Sequence, residues 1–182
     1  MRAFGHLMIA MLGALTLAAC SGKNATITDA DISIGAENAP VTVVEYASVA
    51  CPGCAAFNNE VWGDIKTRFI DTGQVKWVTK EMLTHDAAWA AAGFMAARCL
   101  GEDRYYDALD ALYHAAAKID ASGDRKGGLR EVMNGLGMSD TQFESCVSDE
   151  AALLKLNARI EKHVADDKIT GTPTFFINGE EF

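Results

Sequence analysis

No run of lysine and arginine occurs anywhere in the 182 residues. Lys and Arg together number 16 against 25 Asp and Glu, a net charge of −9. A protein that grips nucleic-acid phosphates needs the opposite balance, so that class is excluded. The acidity reads as a solubility feature. Histidine is scarce, at four, and there is no second Cys-x-x-Cys. A closed zinc site takes four ligands, and His85, His114 and His163 are scattered, so no metal is expected. A long apolar run is also missing. The stretch from Leu7 to Ala19 falls short of the roughly 20 residues that a transmembrane helix needs. No internal repeat is evident, and the length suits one domain.

The amino-terminal segment "MRAFGHLMIAMLGALTLAAC" does have the layout of an export signal. Arg2 is followed by an apolar core and then by small residues, so residues 1–19 read as a leader that is removed. The ending "LAAC" resembles the bacterial lipobox, which implies a lipid on Cys20, a tether over 20–33 and an anchored, periplasmic location. Outside the cytoplasm disulfides form and persist. Of the five cysteines, allotting Cys20 to lipid leaves Cys51, Cys54, Cys99 and Cys146, an even set.

Residues 21–39 are polar and small, a tether followed by a loop. "PVTVVEYAS", from Pro40 to Ser48, is β-branched and reads as a buried strand. Pro52 then suits the first turn of a helix, where its missing N–H costs nothing. That helix is expected to run to about Asp71 and stop at Gly73, with Phe57, Val61, Ile65 and Phe69 as its apolar face. "QVKWVTKEML" gives a second strand, parallel to the first through the helical crossover. From His85 to about Lys168 the pattern is helical, with Ser139 and Gln142 at capping-box spacing. "ITGTPTFFINGEEF" gives a third strand over Thr174 to Ile177. Asn178-Gly179 is a hairpin signal, so a fourth strand is expected to begin at Glu180. The fold class is α/β: a mixed sheet over 34–182 with a helical insertion at about 85–168.

Cys51-Pro52-Gly53-Cys54 stands where the first strand passes into the helix. A metal clamp, an inert staple and a reactive disulfide are the three readings. The ligand shortage speaks against metal. So short a loop removes little unfolded-state entropy, which speaks against a staple. The reactive reading has a physical basis: the first sulfur lies at a helix start, where free N–H groups and the dipole favour a thiolate. A readily formed thiolate is also a good leaving group in thiol–disulfide exchange. Cys54, one turn further in, is expected to be more buried and to resolve mixed disulfides.

"VVEYASVACPGC", "VKWVTK" and "GTPTFFING" together resemble the DsbA-like thiol–disulfide oxidoreductases of the thioredoxin superfamily. The resemblance covers residues 32–182 and implies a thioredoxin-like fold that works without a cofactor. It implies a cis-proline at Pro173 facing the cysteine pair, with Thr172 presenting its backbone to a substrate strand. The bland reading of Pro173 is a proline that starts a strand. Glu45 and Lys80 match a charged pair that the family holds beneath the disulfide, where it assists proton movement. Glu45 is in any case unusual within so apolar a strand. A structural disulfide between Cys99 and Cys146 is also implied; two separate buried thiols are the alternative.

Two departures stand out. Strongly oxidising members carry histidine in the second place of the dipeptide, where Pro52-Gly53 has glycine and offers neither donor nor cation. Family members also continue through a further strand and helix after the point where this sequence stops. The implied function is to introduce disulfides into exported proteins that bear free thiols, with a membrane redox partner to reoxidise the pair. A reductase or isomerase of the same fold, and a non-catalytic binding or metal-carrier lipoprotein, are the alternatives.

Overall fold

A computed structural model describes residues 25–182. The leader 1–19 and the lipidation candidate Cys20 lie outside the described residues. Five strands form one mixed sheet, β1 (Ile32–Ile34), β2 (Val41–Ala47), β3 (Val75–Glu81), β4 (Thr174–Ile177) and β5 (Glu180–Glu181), in the order β1-β3-β2-β4-β5. Strand β2 runs parallel to β3, with Val41 opposite Val75 and Ala47 opposite Glu81. The remaining pairings, β1 with β3, β2 with β4 and β4 with β5, are antiparallel. Asn178 and Gly179 both have positive φ, at 49° and 88°, as a tight hairpin requires.

The crossover from β2 to β3 is one helical stretch over 52–70. It comprises α1 (Pro52–Phe57), a π-helical turn (Asn58–Trp62), α2 (Gly63–Ile65) and a second π-helical turn (Lys66–Ile70). The π turns correct the expected apolar face. A π turn carries an extra residue, so the stripe of a regular helix is rotated past each one. Cys54, Asn58, Trp62 and Ile70 are the buried positions, while Val61 and Phe69 are left on the surface. Phe57 and Ile65 pack at the edge of the core.

The insertion comprises α3 (Ala87–Cys99), α4 (Glu102–Ser122), α5 (Arg125–Gly135), α6 (Asp140–Val147) and α7 (Glu150–Asp167). Side chains cap four of the five starts: Asp86, Asp124, Ser139 and Asp149 each accept from a first-turn N–H. The Ser139–Gln142 capping box forms as its spacing predicts. Gly101 and Gly123 take positive φ at the two ends of α4, where a side chain would be strained. The bridge between Cys99 and Cys146 joins α3 to α6.

One element lies where the sequence reads as tether and loop. β1 is three residues long and pairs along β3, Ile32 opposite Thr79 and Ile34 opposite Trp77. The segment before it is fastened as well. Thr26 O accepts from Lys80 Nζ at 2.5 Å, and Ala30 O accepts from Arg98 at 3.1 Å. So short a strand, flanked by polar residues, carries too little alternation to be read alone; it forms because the edge of β3 offers unpaired backbone groups.

Candidate active site

The parallel strands β2 and β3 end at the same side of the sheet, and the candidate residues gather there. Cys51 is the N-cap of α1 and Pro52 follows at its first position. Cys51 N–H donates to Ser48 O at 3.0 Å, which fixes the turn from strand to helix. Both Cys51 and Cys54 carry free thiols. Both are buried, Cys51 at 3% exposure. Cys54 is wholly enclosed, and burial pushes its thiol far above the ordinary range, against a partial offset from the Ser48 backbone. Nearby Cys51 and Glu45 reinforce the rise. A thiol so placed holds its proton.

The peptide bond between Thr172 and Pro173 is cis. It brings the carbonyl of Thr172 against the first cysteine, and Cys51 Sγ donates to Thr172 O at 3.3 Å. Gly53 explains how the two loops come so close. A β-carbon at position 53 would sit 3.3 Å from Pro173 Cδ and 3.8 Å from Cys51 Sγ. Glycine leaves this space to the proline ring.

Two residues that the motifs did not single out tie the loops together. The Thr84 hydroxyl lies 2.7 Å from that of Thr172, and Ser48 Oγ donates to Thr84 O at 3.3 Å. Ser48 follows β2 and Thr84 follows β3. Their signal was positional: sites of open α/β sheets form beyond the carboxyl ends of parallel strands.

Glu45 and Lys80 do not form a pair. Glu45 lies opposite Thr79 and Tyr46 opposite Lys80. Side chains alternate along a strand, so Glu45 and Lys80 point to opposite faces of the sheet. Glu45 is 5% exposed and lies among Trp77, Thr79, Tyr106 and Tyr113, on the face that carries α1. Burial pushes its carboxyl up to about 7, with Trp77 and Thr79 opposing the shift. Lys80 belongs to a separate buried cluster. Its ammonium is 3.4 Å from Asp31 and 3.9 Å from Asp167, and the Tyr46 hydroxyl donates to Asp167. Burial alone would raise Asp31; His163, the Thr28 N–H and Lys80 overturn that and hold it at about 2. Among the described residues, no group of three or more His, Cys, Asp or Glu side chains could hold a metal ion.

The chain has counterparts among known proteins. Residues 27–182 match the family model described as Thioredoxin. A Rickettsia bellii protein provisionally named a protein-disulfide oxidoreductase is 27% identical over 154 residues, 84% of this chain and 59% of that protein. Its Rickettsia conorii counterpart is also 27% identical, over 84% of this chain and 55% of its own length. The chain thus spans less than two thirds of the relatives it matches. Among solved structures, alpha-DsbA1 of Wolbachia pipientis superposes with a TM-score of 0.76 at 23% identity, covering 83% of this chain and 76% of that one. BdbD of Bacillus subtilis gives 0.63 at 22% identity, covering 84% and 83%. The fold is therefore that of the DsbA proteins, and the chain belongs to the thioredoxin family.

Proposed function

We propose that this protein is an extracytoplasmic thiol–disulfide oxidoreductase that introduces disulfides into exported proteins. One observation carries the reading: Cys51 Sγ lies 3.3 Å from the Thr172 carbonyl beside a cis-proline, with Cys54 enclosed behind it. The backbone of Thr172, beside this pair, is where a client strand can add. In the oxidised enzyme a client thiolate attacks Cys51 Sγ. The Cys51–Cys54 bond breaks, and Cys54 leaves with the electron pair and takes up a proton. A second client thiolate then attacks the client sulfur of the mixed disulfide, and Cys51 departs as the thiolate. The client gains a disulfide and the enzyme pair gains two electrons. A membrane redox partner takes those electrons away. Glu45, with a carboxyl near 7 and close enough to Cys54 to raise it, is placed to exchange the proton. Lipid on Cys20 would hold the enzyme at the cell envelope.

The test is a trap. Cys54→Ser should accumulate mixed disulfides with client proteins, all of them lost when Cys51 is also replaced by serine. Trapped species that require Cys99 or Cys146 instead would refute the assignment. The reduction potential of the Cys51–Cys54 couple then decides between net oxidation and the reductase or isomerase direction.

A further inference from the structure

A groove of about 960 Å3 opens beside the cysteine pair. The start of α1 forms one wall and the last turns of α4 form the other. The loop that precedes α3 closes one end. Cys51 and Pro52 line the first wall, so any chain joined to Cys51 has this groove next to it. Its floor is largely alanine, with Ala55 on one side and Ala117 and Ala121 on the other. Such a floor lets an extended main chain lie close and holds no deep pocket for one large side chain. The indole of Trp89 also lines it, and its buried Nε1 has no hydrogen-bond partner among the described residues.

The two walls differ in polarity. The start of α1, beside Cys51, is a positive helix pole. The far wall is the negative pole of α4, and Asp120 stands there. Arg125 bridges that wall to the end loop, with Nε 3.0 Å from Asp86 and a terminal nitrogen 2.7 Å from Asp120. Two carboxylates and a helix carboxyl end against one guanidinium leave this side net negative. A client thiolate and a client cation are thus both accommodated, at different places.

We propose that this groove seats the client polypeptide beside its reacting cysteine, and that it favours segments carrying a lysine or arginine there. The inference rests on the oxidoreductase reading above and adds the substrate class. The sequence tolerance comes from the alanine floor; the selection comes from Asp86 and Asp120.

The full chain, oxidised, is mixed with two peptides that bear a cysteine pair and differ only in lysine or glutamate beside the first cysteine. Glutathione serves as the small thiol that needs no groove. The lysine peptide should react about tenfold faster at low salt, and the ratio should shrink in about 0.5 M salt. Ala117→Phe, on the exposed surface of α4, should slow both peptides by about tenfold while the glutathione rate holds. Asp120→Lys should abolish or reverse the charge preference, whereas Glu150→Lys, the same charge change on α7, should leave it intact. Equal rates for the two peptides, or a preference that Glu150→Lys removes as readily as Asp120→Lys, would overturn the charge selection. A glutathione rate that falls with the peptide rates in Ala117→Phe would overturn the groove. A wild-type protein that exchanges with neither peptide nor glutathione overturns the oxidoreductase reading, and the groove with it.

Discussion

Glu45 and Lys80 lie on neighbouring strands and face opposite sides of the sheet. Each is therefore buried with different company, and the two should fail differently when replaced. Among the described residues, no ammonium stands beside the carboxyl of Glu45 in place of Lys80; the carboxyl is surrounded by aromatic rings and pushed up to about 7. The ammonium of Lys80 is held by Asp31 and Asp167, both nearly inaccessible.

For Glu45 the consequence is a pH-dependent stability. Its folded value of about 7 lies above the ordinary 4.5, so the folded chain holds this proton where the unfolded chain has released it. The unfolded state binds fewer protons in that window, and stability falls as pH rises from about 4.5 to about 7. Above that window the loss amounts to about 3 kcal/mol. Glu45→Gln should remove the decline, matching wild type near pH 4.5 and exceeding it near pH 8. Urea unfolding across this range reads the effect. Parallel curves for the two proteins would show that Glu45 does not titrate in the window.

Lys80→Met should instead destabilise at neutral pH by about 3–5 kcal/mol, since Asp31 and Asp167 would keep their burial and lose their counter-charge. The pH profile of thiol exchange should not move, because Lys80 stands on the far face from Cys54. Asp31 adds a second signature. Its folded value of about 2 lies below the ordinary 3.8. Its contribution is therefore complete above about pH 4 and is lost as pH falls toward 2. In Lys80→Met this acid-side loss should be smaller. A shifted exchange profile in Lys80→Met would place Lys80 in the proton path after all.

Several features of the fold were legible before any coordinates. The start of one helix was written in Ser139 and Gln142, whose capping box forms as its spacing requires, and the hairpin was written in Asn178-Gly179. Cys51 and Pro52 fixed the start of α1 on local chemistry alone. What escaped depended on long-range register. Whether Glu45 meets Lys80 or Thr79 is decided by the pairing of β2 with β3, and a slip of one residue reverses the answer. The face of the first helix escaped because two π turns rotate it, and no residue type marks a π turn reliably. β1 escaped because three residues cannot declare a strand. Thr84 and Ser48 escaped because a hydroxyl that bridges loops is invisible until the loops meet.

The bridge from Cys99 to Cys146 spans 47 residues of chain and ties two helices of the insertion. Cross-linking a loop of that size restricts the unfolded chain by about 4 kcal/mol in the chain-entropy model. Replacing both cysteines with alanine should lower the unfolding midpoint accordingly and leave the rate of thiol exchange at Cys51 unchanged. A changed exchange rate with an unchanged midpoint would give this bridge a redox role in place of a structural one.

Gly53 sets the last prediction. It occupies the second place between the cysteines, and its Cα faces Pro173. Histidine at this position would bring a donor and a cation to the helix start, beside Cys51. Both favour the thiolate over the disulfide, so Gly53→His should make the couple more oxidising. A shift of about 30 mV corresponds to a tenfold change in the exchange constant with glutathione, and at least that much is expected. The contact geometry sets a competing effect. The new β-carbon would stand 3.3 Å from Pro173 Cδ, close enough that the proline loop must yield by a few tenths of an ångström. Gly53→Ala separates the two, because it brings the contact without the imidazole. The alanine variant should keep the wild-type potential and slow client exchange slightly, while the histidine variant alone moves the potential. Equal potentials in all three proteins would show that the residue at position 53 does not govern the thiolate at Cys51.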